Sequence, residues 1–355
     1  MNNKTVSQSA TYLDTYFYLA QALLKNYYEN IDLGSCHTIR QKWIHPNVVD
    51  CMSKKIEQKR YMCTSIKETK ENYQLRFTLL SFMESKVFIE LKVLTEASFC
   101  YTGCNIPSGF GQVSNLIFHP YNQGGRVVDW YLDDDYDHPF PGKHLGIPDT
   151  MTTFNAVTAS AMLHSLDKKK IVSYALNNAK SSSPASGGLN VPYYDFSQIS
   201  GNYDCTNFVS HALLAGGAVP YHTGGKGISS TGWYYVNLNT RSSSWSGVPY
   251  LHSFIINNKI KGPAGHSFSY ERFDMRDGYP YEKGDILQFY SSSYGNWRHS
   301  TIVTGYYMAG DSNEYQRGAL VTGRTSNGSY NYNTIAETIY PGDRKRIIKL
   351  SGYYH

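Results

Sequence analysis

The sequence predicts an α+β protein built as two domains, and three observations carry the prediction. At 355 residues with 41% hydrophobic content, the chain is long enough for two separate cores. Its N-terminal part passes once from helical to strand-like periodicity, the order expected when helices sit against an antiparallel sheet. Its C-terminal part places a helix that opens on a cysteine ahead of a strand hairpin.

Residues 9–28 carry Tyr12, Tyr16, Leu19, Leu23 and Tyr27 at helical spacing, and residues 47–68 form a second helical segment. Strand-like runs follow at 73–80, 87–95, 113–119 and 126–132, the last two separated by the turn sequence Pro120-Tyr121-Asn122-Gln123-Gly124-Gly125. The first domain is placed at residues 1–140. Asp133-Asp134-Asp135 and His138-Pro139-Phe140-Pro141-Gly142 cannot continue a strand, and residues 141–164 are read as a connector. The second domain, residues 165–355, opens with a helix near Asp167 that puts Ile171, Tyr174 and Ala175 on one stripe and ends at Ser181-Ser182-Ser183-Pro184. No internal repeat is visible.

Composition narrows the function classes. The net charge of +5 is modest, and the clusters Lys168-Lys169-Lys170 and Arg344-Lys345-Arg346 read as solvated faces, so no nucleic-acid partner is expected. The 32 tyrosines supply flat contact area with a polar tip, suited to strands and grooves. The cysteines Cys36, Cys51, Cys63, Cys100, Cys104 and Cys205 lack paired CxxC spacing, so no metal is expected. On one strand, Cys100 and Cys104 would lie about 13 Å apart, too far for a disulfide without a bend. Reduced thiols in a reducing compartment are the simplest reading. The run MNNKTVSQSATYLDTYFYLAQALL has no basic flank, uninterrupted apolar core or small-residue cleavage site. No apolar run reaches the length of about 18 residues that spans a membrane. A cytoplasmic protein without membrane contact is the expectation.

Cys205 is the most informative residue. It lies in Asp204-Cys205-Thr206-Asn207-Phe208-Val209-Ser210-His211-Ala212-Leu213, where a glycine- and serine-rich stretch gives way to helical periodicity. A cysteine at a helix N-terminus meets the positive end of the macrodipole and unpaired N–H groups. Both favour a nucleophilic thiolate, and the N–H groups can hold an oxyanion. This run resembles the signature of the putative amidase domain family, a bacterial branch of the papain-like cysteine peptidase superfamily related to CHAP and NlpC-type hydrolases. The resemblance continues in order through Gly232-Trp233-Tyr234-Tyr235, Ser243-Ser244-Trp245, Leu251, Gly262-Pro263-Ala264-Gly265, the run GDILQF at 284–289 and His299-Ser300-Thr301-Ile302-Val303-Thr304-Gly305. It implies a papain-like α+β fold over residues 165–355, with Cys205 as nucleophile and no cofactor. The N-terminal pattern, ending in Val127-Val128-Asp129-Trp130-Tyr131, resembles the cone-shaped nuclear-transport-factor-like domain, which implies a supporting or interface role.

A papain-like site needs three further parts. The first is a base, and His299 fits because 297–303 reads as loop entering strand. His211 is the rival, but six residues along a helix is about 600° of turn, which points it away from Cys205. The second part orients the imidazole. Folding the hairpin of strands 299–308 and 319–325 about residue 312 places His299 opposite Thr325. The family commonly has a histidine there, whereas this chain has Arg324-Thr325-Ser326-Asn327. Arg324 cannot accept a proton bond, which leaves Thr325 or Asn327. The last part is the oxyanion hole, for which the Cys205 N–H is one donor and Gln198, Asn202 or Tyr194 the second. Gln198 lies seven residues before Cys205 and Tyr194 eleven, close to the spacings of the papain-like and NlpC branches respectively. Asp204 is expected to cap the helix.

Three function classes follow: a cysteine amidase or peptidase acting on a peptide or acyl-amide through an acyl-enzyme, an amide-forming acyltransferase using the same intermediate with a carrier-protein thioester as donor, and a degenerate binding module. Trp233, Tyr234, Trp245 and Trp297 are the candidate walls of a substrate groove.

Overall fold

The computed structural model describes residues 4–33, 42–65, 69–120, 125–132, 161–180, 196, 204–224, 227–308, 315–326 and 329–355. The chain divides into two compact units, residues 1–135 and 136–355. Helices and mostly antiparallel strands are mixed in the order the sequence predicts for an α+β protein. Among the described residues, no helix is long and apolar enough to cross a membrane.

In the first unit, helices α1 (Lys4–Asp32) and α2 (Pro46–Ser65) precede four strands, β1 (Lys70–Glu84), β2 (Ile89–Tyr101), β3 (Pro107–Phe118) and β4 (Val127–Leu132). Each strand pairs antiparallel with the next. Helix α1 buries Tyr16, Ala20, Leu23, Leu24, Tyr27 and Ile31, one apolar stripe at helical spacing. Strand β2 buries Ile89, Leu91, Val93, Thr95, Ala97, Phe99 and Tyr101, every second residue, so one sheet face meets the helices. Strand β1 starts earlier than its apolar pattern does. The Lys70 ammonium lies 2.6 Å from the Asp32 carboxylate, both side chains almost buried, and the Tyr73 hydroxyl donates to the same carboxylate. That ion pair ties the strand start to the end of α1.

In the second unit, β5 (Leu163–His164) leads into α3 (Lys168–Asn178) and α4 (Cys205–Ala215). Short elements follow: β6 (Ile228–Ser229), β7 (Tyr235–Asn237), β8 (Thr240–Ser242), α5 (Ser243–Ser246) and α6 (Val248–Asn257). Then come β9 (Gly262–Ser269), β10 (Phe273–Asp274), β11 (Ile286–Ser291), β12 (Asn296–Met308), β13 (Gln316–Ser326), β14 (Ser329–Ile335) and β15 (Lys345–Tyr354). The main sheet runs β14-β13-β12-β11-β15, with β9 paired along the far side of β15, all antiparallel.

Adjacent residues of these strands serve opposite faces. Ile286, Ile302 and Ile348 pack against α3, α4 and α6, whereas Leu287, Val303 and Ile347 form a second core with Phe273 and Tyr281. Helix α4 has no polar face: Cys205 through Leu213 are all buried, as suits a helix held inside the unit. Asp167 caps α3 as its position suggests, its carboxylate accepting the Lys170 N–H at 3.1 Å.

Candidate active site

The N-terminus of α4 is held from below by strand β13. Strands β12 and β13 pair at Ile302–Thr322, on the register that the hairpin reading anticipates. Further along, β13 serves the helix: the Asp204 N–H donates to the Thr325 carbonyl at 2.9 Å. The Asp204 side chain does not cap α4, contrary to the sequence expectation. Its carboxylate takes the Asn207 amide and the Phe196 N–H, each at 3.0 Å, and pairs with the Arg324 guanidinium at 3.3 Å. Both charged side chains are essentially buried. Arg324, read from sequence as a departure that removes an orienting group, is therefore the counter-ion that holds the residue before Cys205.

Cys205 is 2% exposed. Its thiol lies 3.9 Å from the Arg298 carbonyl and 3.8 Å from the Thr206 hydroxyl, and the Ser300 N–H also interacts with the sulfur. Strand β12 bulges here, because Trp297 faces Tyr290 and His299 faces Phe289, leaving Arg298 unmatched between them. The sulfur thus meets backbone on both sides of His299. Burial pushes the Cys205 thiol up, the bonds from Ser300 and Thr206 pull it back only in part, and the Asp204 charge adds to the rise. This opposes the thiolate that the helix terminus favours. The helix terminus favours the anion, but a dehydrated sulfur beside a carboxylate rests as the neutral thiol.

His299 is 1% exposed, its ring packed on Phe289 at 5.7 Å and Tyr340 at 6.1 Å. Burial pushes its pKa down to about 4, opposed in part by the Asn331 side chain. Neither ring nitrogen has a well-aligned hydrogen-bond partner, and no hydrogen bond joins His299 to Cys205. The neighbouring Ser300 hydroxyl meets Thr206 at 3.2 Å and Gln288 at 3.0 Å. Burial thus favours the uncharged form of both the thiol and the imidazole.

Asn331 is the residue that sequence reasoning missed. It lies on β14 opposite Gly323, one strand beyond the hairpin considered for an orienting group. Extending that hairpin argument by one strand is the signal that finds it. Thr325 is buried and acts through its carbonyl. Asn327, Gln198, Asn202 and Tyr194 lie outside the described residues. The Cys205 N–H belongs to the first turn of α4, where a helix leaves donors without intrahelical acceptors.

Three of the four candidate groove aromatics are core instead. Trp233 donates to the Ser210 hydroxyl at 3.1 Å, Trp245 to the Asn207 side-chain oxygen at 2.6 Å, and the two rings lie 5.0 Å apart against α4. Tyr234 is buried with His222 against its ring. Aromatic rings that cover an apolar helix gain more from burial than from lining a groove. His211 sits in the same cluster, between Tyr174 and Trp245. Trp297 is partly exposed, but the Arg346 guanidinium lies over its ring at 3.9 Å. Among the described residues, no three His, Cys, Asp or Glu side chains gather as a metal site.

A sequence model of the putative amidase domain matches residues 165–350, more than half of the chain. No curated protein and no solved structure matches it. The match supports an enzyme that acts on amides. The second unit, with its buried helix-opening cysteine and the His299 strand beside it, is the part that the match covers: the chain belongs to the putative amidase domain family.

Proposed function

We propose that residues 165–355 form a papain-like cysteine amidase that cleaves a peptide or acyl-amide through a thioester on Cys205, with residues 1–140 as a separate supporting domain. The observation that carries this reading is the placement of the Cys205 sulfur, at the start of a buried helix and 3.9 Å from the carbonyl of the residue before His299. The Cys205 thiol gives its proton to His299 as the sulfur attacks the amide carbonyl carbon. The oxyanion is held by the Cys205 N–H and a second donor, Gln198 or Tyr194. Collapse breaks the C–N bond, and His299 returns the proton to the departing amine. Water then attacks the thioester with His299 as base, releasing the acid and the thiol. The Asn331 side chain, bonded to the His299 ring, positions the imidazole for these transfers.

Cys205→Ala is expected to abolish amide turnover while the fold persists, and His299→Gln to lower kcat by about 10²–10⁴. Substantial turnover in Cys205→Ala excludes the reading.

A second reading is favoured by the burial of the thiol. A site this dry shields a thioester from water, so the acyl group passes to an amine, with a carrier-protein thioester as donor. The two readings separate on partitioning: rising primary amine converts product from free acid to amide only in the second.

A further inference from the structure

On the reading of Cys205 as the reactive thiol, we propose that an arginine strip, through Arg344 and Arg346, binds a carboxylate carried by the substrate close to its scissile amide. The strip lies where β11, β12 and β15 adjoin. The Arg298 guanidinium lies over the Tyr294 ring at 3.5 Å, that of Arg344 over Tyr290 at 4.1 Å and that of Arg346 over Trp297 at 3.9 Å. Tyr290 and Trp297 meet edge to face at 5.7 Å, which joins the three pairs into one ridge. A guanidinium laid on a ring keeps its edge N–H groups in a fixed plane, the geometry that takes both oxygens of a carboxylate.

Three other arginines of this unit are matched, Arg272 to Glu337 at 3.2 Å, Arg276 to Asp274 at 2.6 Å and Arg324 to Asp204 at 3.3 Å, whereas Arg241 bonds the neutral Ser246 hydroxyl and Leu238 carbonyl. Among the described residues, no carboxylate lies within ion-pair distance of Arg344 or Arg346. Arg346 gives both of its bonds to a neutral acceptor, the Gln288 side-chain oxygen, at 2.9 and 2.6 Å. Gln288 is itself fixed by the Val248 carbonyl and the Ser300 hydroxyl. Asp343, the acid next in the chain, accepts the Ser292 N–H at 3.2 Å, and its charge acts on Lys345.

Burial without a counter-ion disfavours the charged guanidinium of Arg346 and lowers its pKa to about 9. An anion that arrives with the substrate relieves that cost. The strip is linked to the sulfur through Gln288, which Arg346 holds and which bonds the Ser300 hydroxyl, and the Ser300 N–H meets Cys205. One face each of Tyr290, Tyr294 and Trp297 holds a guanidinium.

The test compares two alkylating agents of nearly equal size on the full chain, anionic iodoacetate and neutral iodoacetamide. Peptide mass spectrometry reads the rate at Cys205, with the partly exposed free cysteines Cys51, Cys100 and Cys104 as internal references. The iodoacetate-to-iodoacetamide ratio is expected to be about tenfold higher at Cys205 than at the references. It should fall toward theirs in Arg344→Gln, at an exposed position, and in Arg346→Lys, which keeps the charge but loses the fork. Labelling of Cys205 by both reagents at an unchanged ratio in both variants overturns the carboxylate site and leaves Cys205 as nucleophile. Failure of iodoacetate to label Cys205 while the references react overturns the carboxylate site, and amide turnover that persists after complete alkylation of Cys205 overturns the nucleophile reading and the subsite with it.

Discussion

Asn331 acts on His299 against the effect of burial, and this makes it the positioning residue with the clearest kinetic signature. Asn331→Ala should lower kcat by about 10²-fold with little change in KM, since a misplaced base costs on that order. The sign of the pH effect is fixed as well. Asn331 raises the His299 pKa, so its removal lets the pKa fall further, and the acid limb of kcat/KM moves to lower pH. A loss of activity with an unmoved acid limb would mark a structural role only. The Cys205 position was legible in sequence because a helix start and an ordered set of motifs coincide there. The protonation of its thiol was not, because it depends on how dry the helix terminus is. Nor was the role of Arg324, whose partner Asp204 lies far away in the chain and is met only through the β13–α4 contact.

Helix α4 carries the site, and its far end is pinned to α3. The Gly216 carbonyl takes the Asp167 N–H at 2.9 Å. A Cβ at Gly216 would stand 2.4 Å from Ile171 Cγ1 and 2.8 Å from its Cδ1. Ile171 is fully buried, so it cannot step aside. Gly216→Ala should therefore destabilise the protein by about 1–3 kcal/mol, the range for an overpacked core. Denaturant melting measures this, and wild-type stability in the variant would mean that the α3–α4 contact gives way. At this scale the sequence was readable where periodicity is strong: α1, α2 and α3, and the β12–β13 register. It was less so for β1, whose start depends on the charge of Asp32 rather than on an apolar alternation. Aromatic content alone did not separate groove from core, because Trp233 and Trp245 carry polar ring nitrogens that α4 itself satisfies through Ser210 and Asn207.

For the whole molecule, two histidines, His299 buried and His252 half-buried, make stability depend on pH. Burial lowers His299 and His252 to about 4 each, from an unfolded value near 6.5. Between these values the unfolded chain binds more protons than the folded one, so stability is complete above about pH 6.5 and is lost as pH falls toward 4. The His299 share is about 3 kcal/mol at full effect. His299→Gln should flatten the acid side of the stability profile relative to wild type, and parallel profiles would mean that the ring is not buried and neutral. The central claim joins all three scales: the sulfur of Cys205, at the start of a buried helix of the second unit, is proposed as the nucleophile. Intact-mass and peptide mass spectrometry of the protein quenched during turnover of an activated acyl donor tests it most directly. The account predicts one acyl adduct on Cys205 that is absent from Cys205→Ala and is released by water or amine. An adduct on another residue, or undiminished turnover by Cys205→Ala, contradicts it.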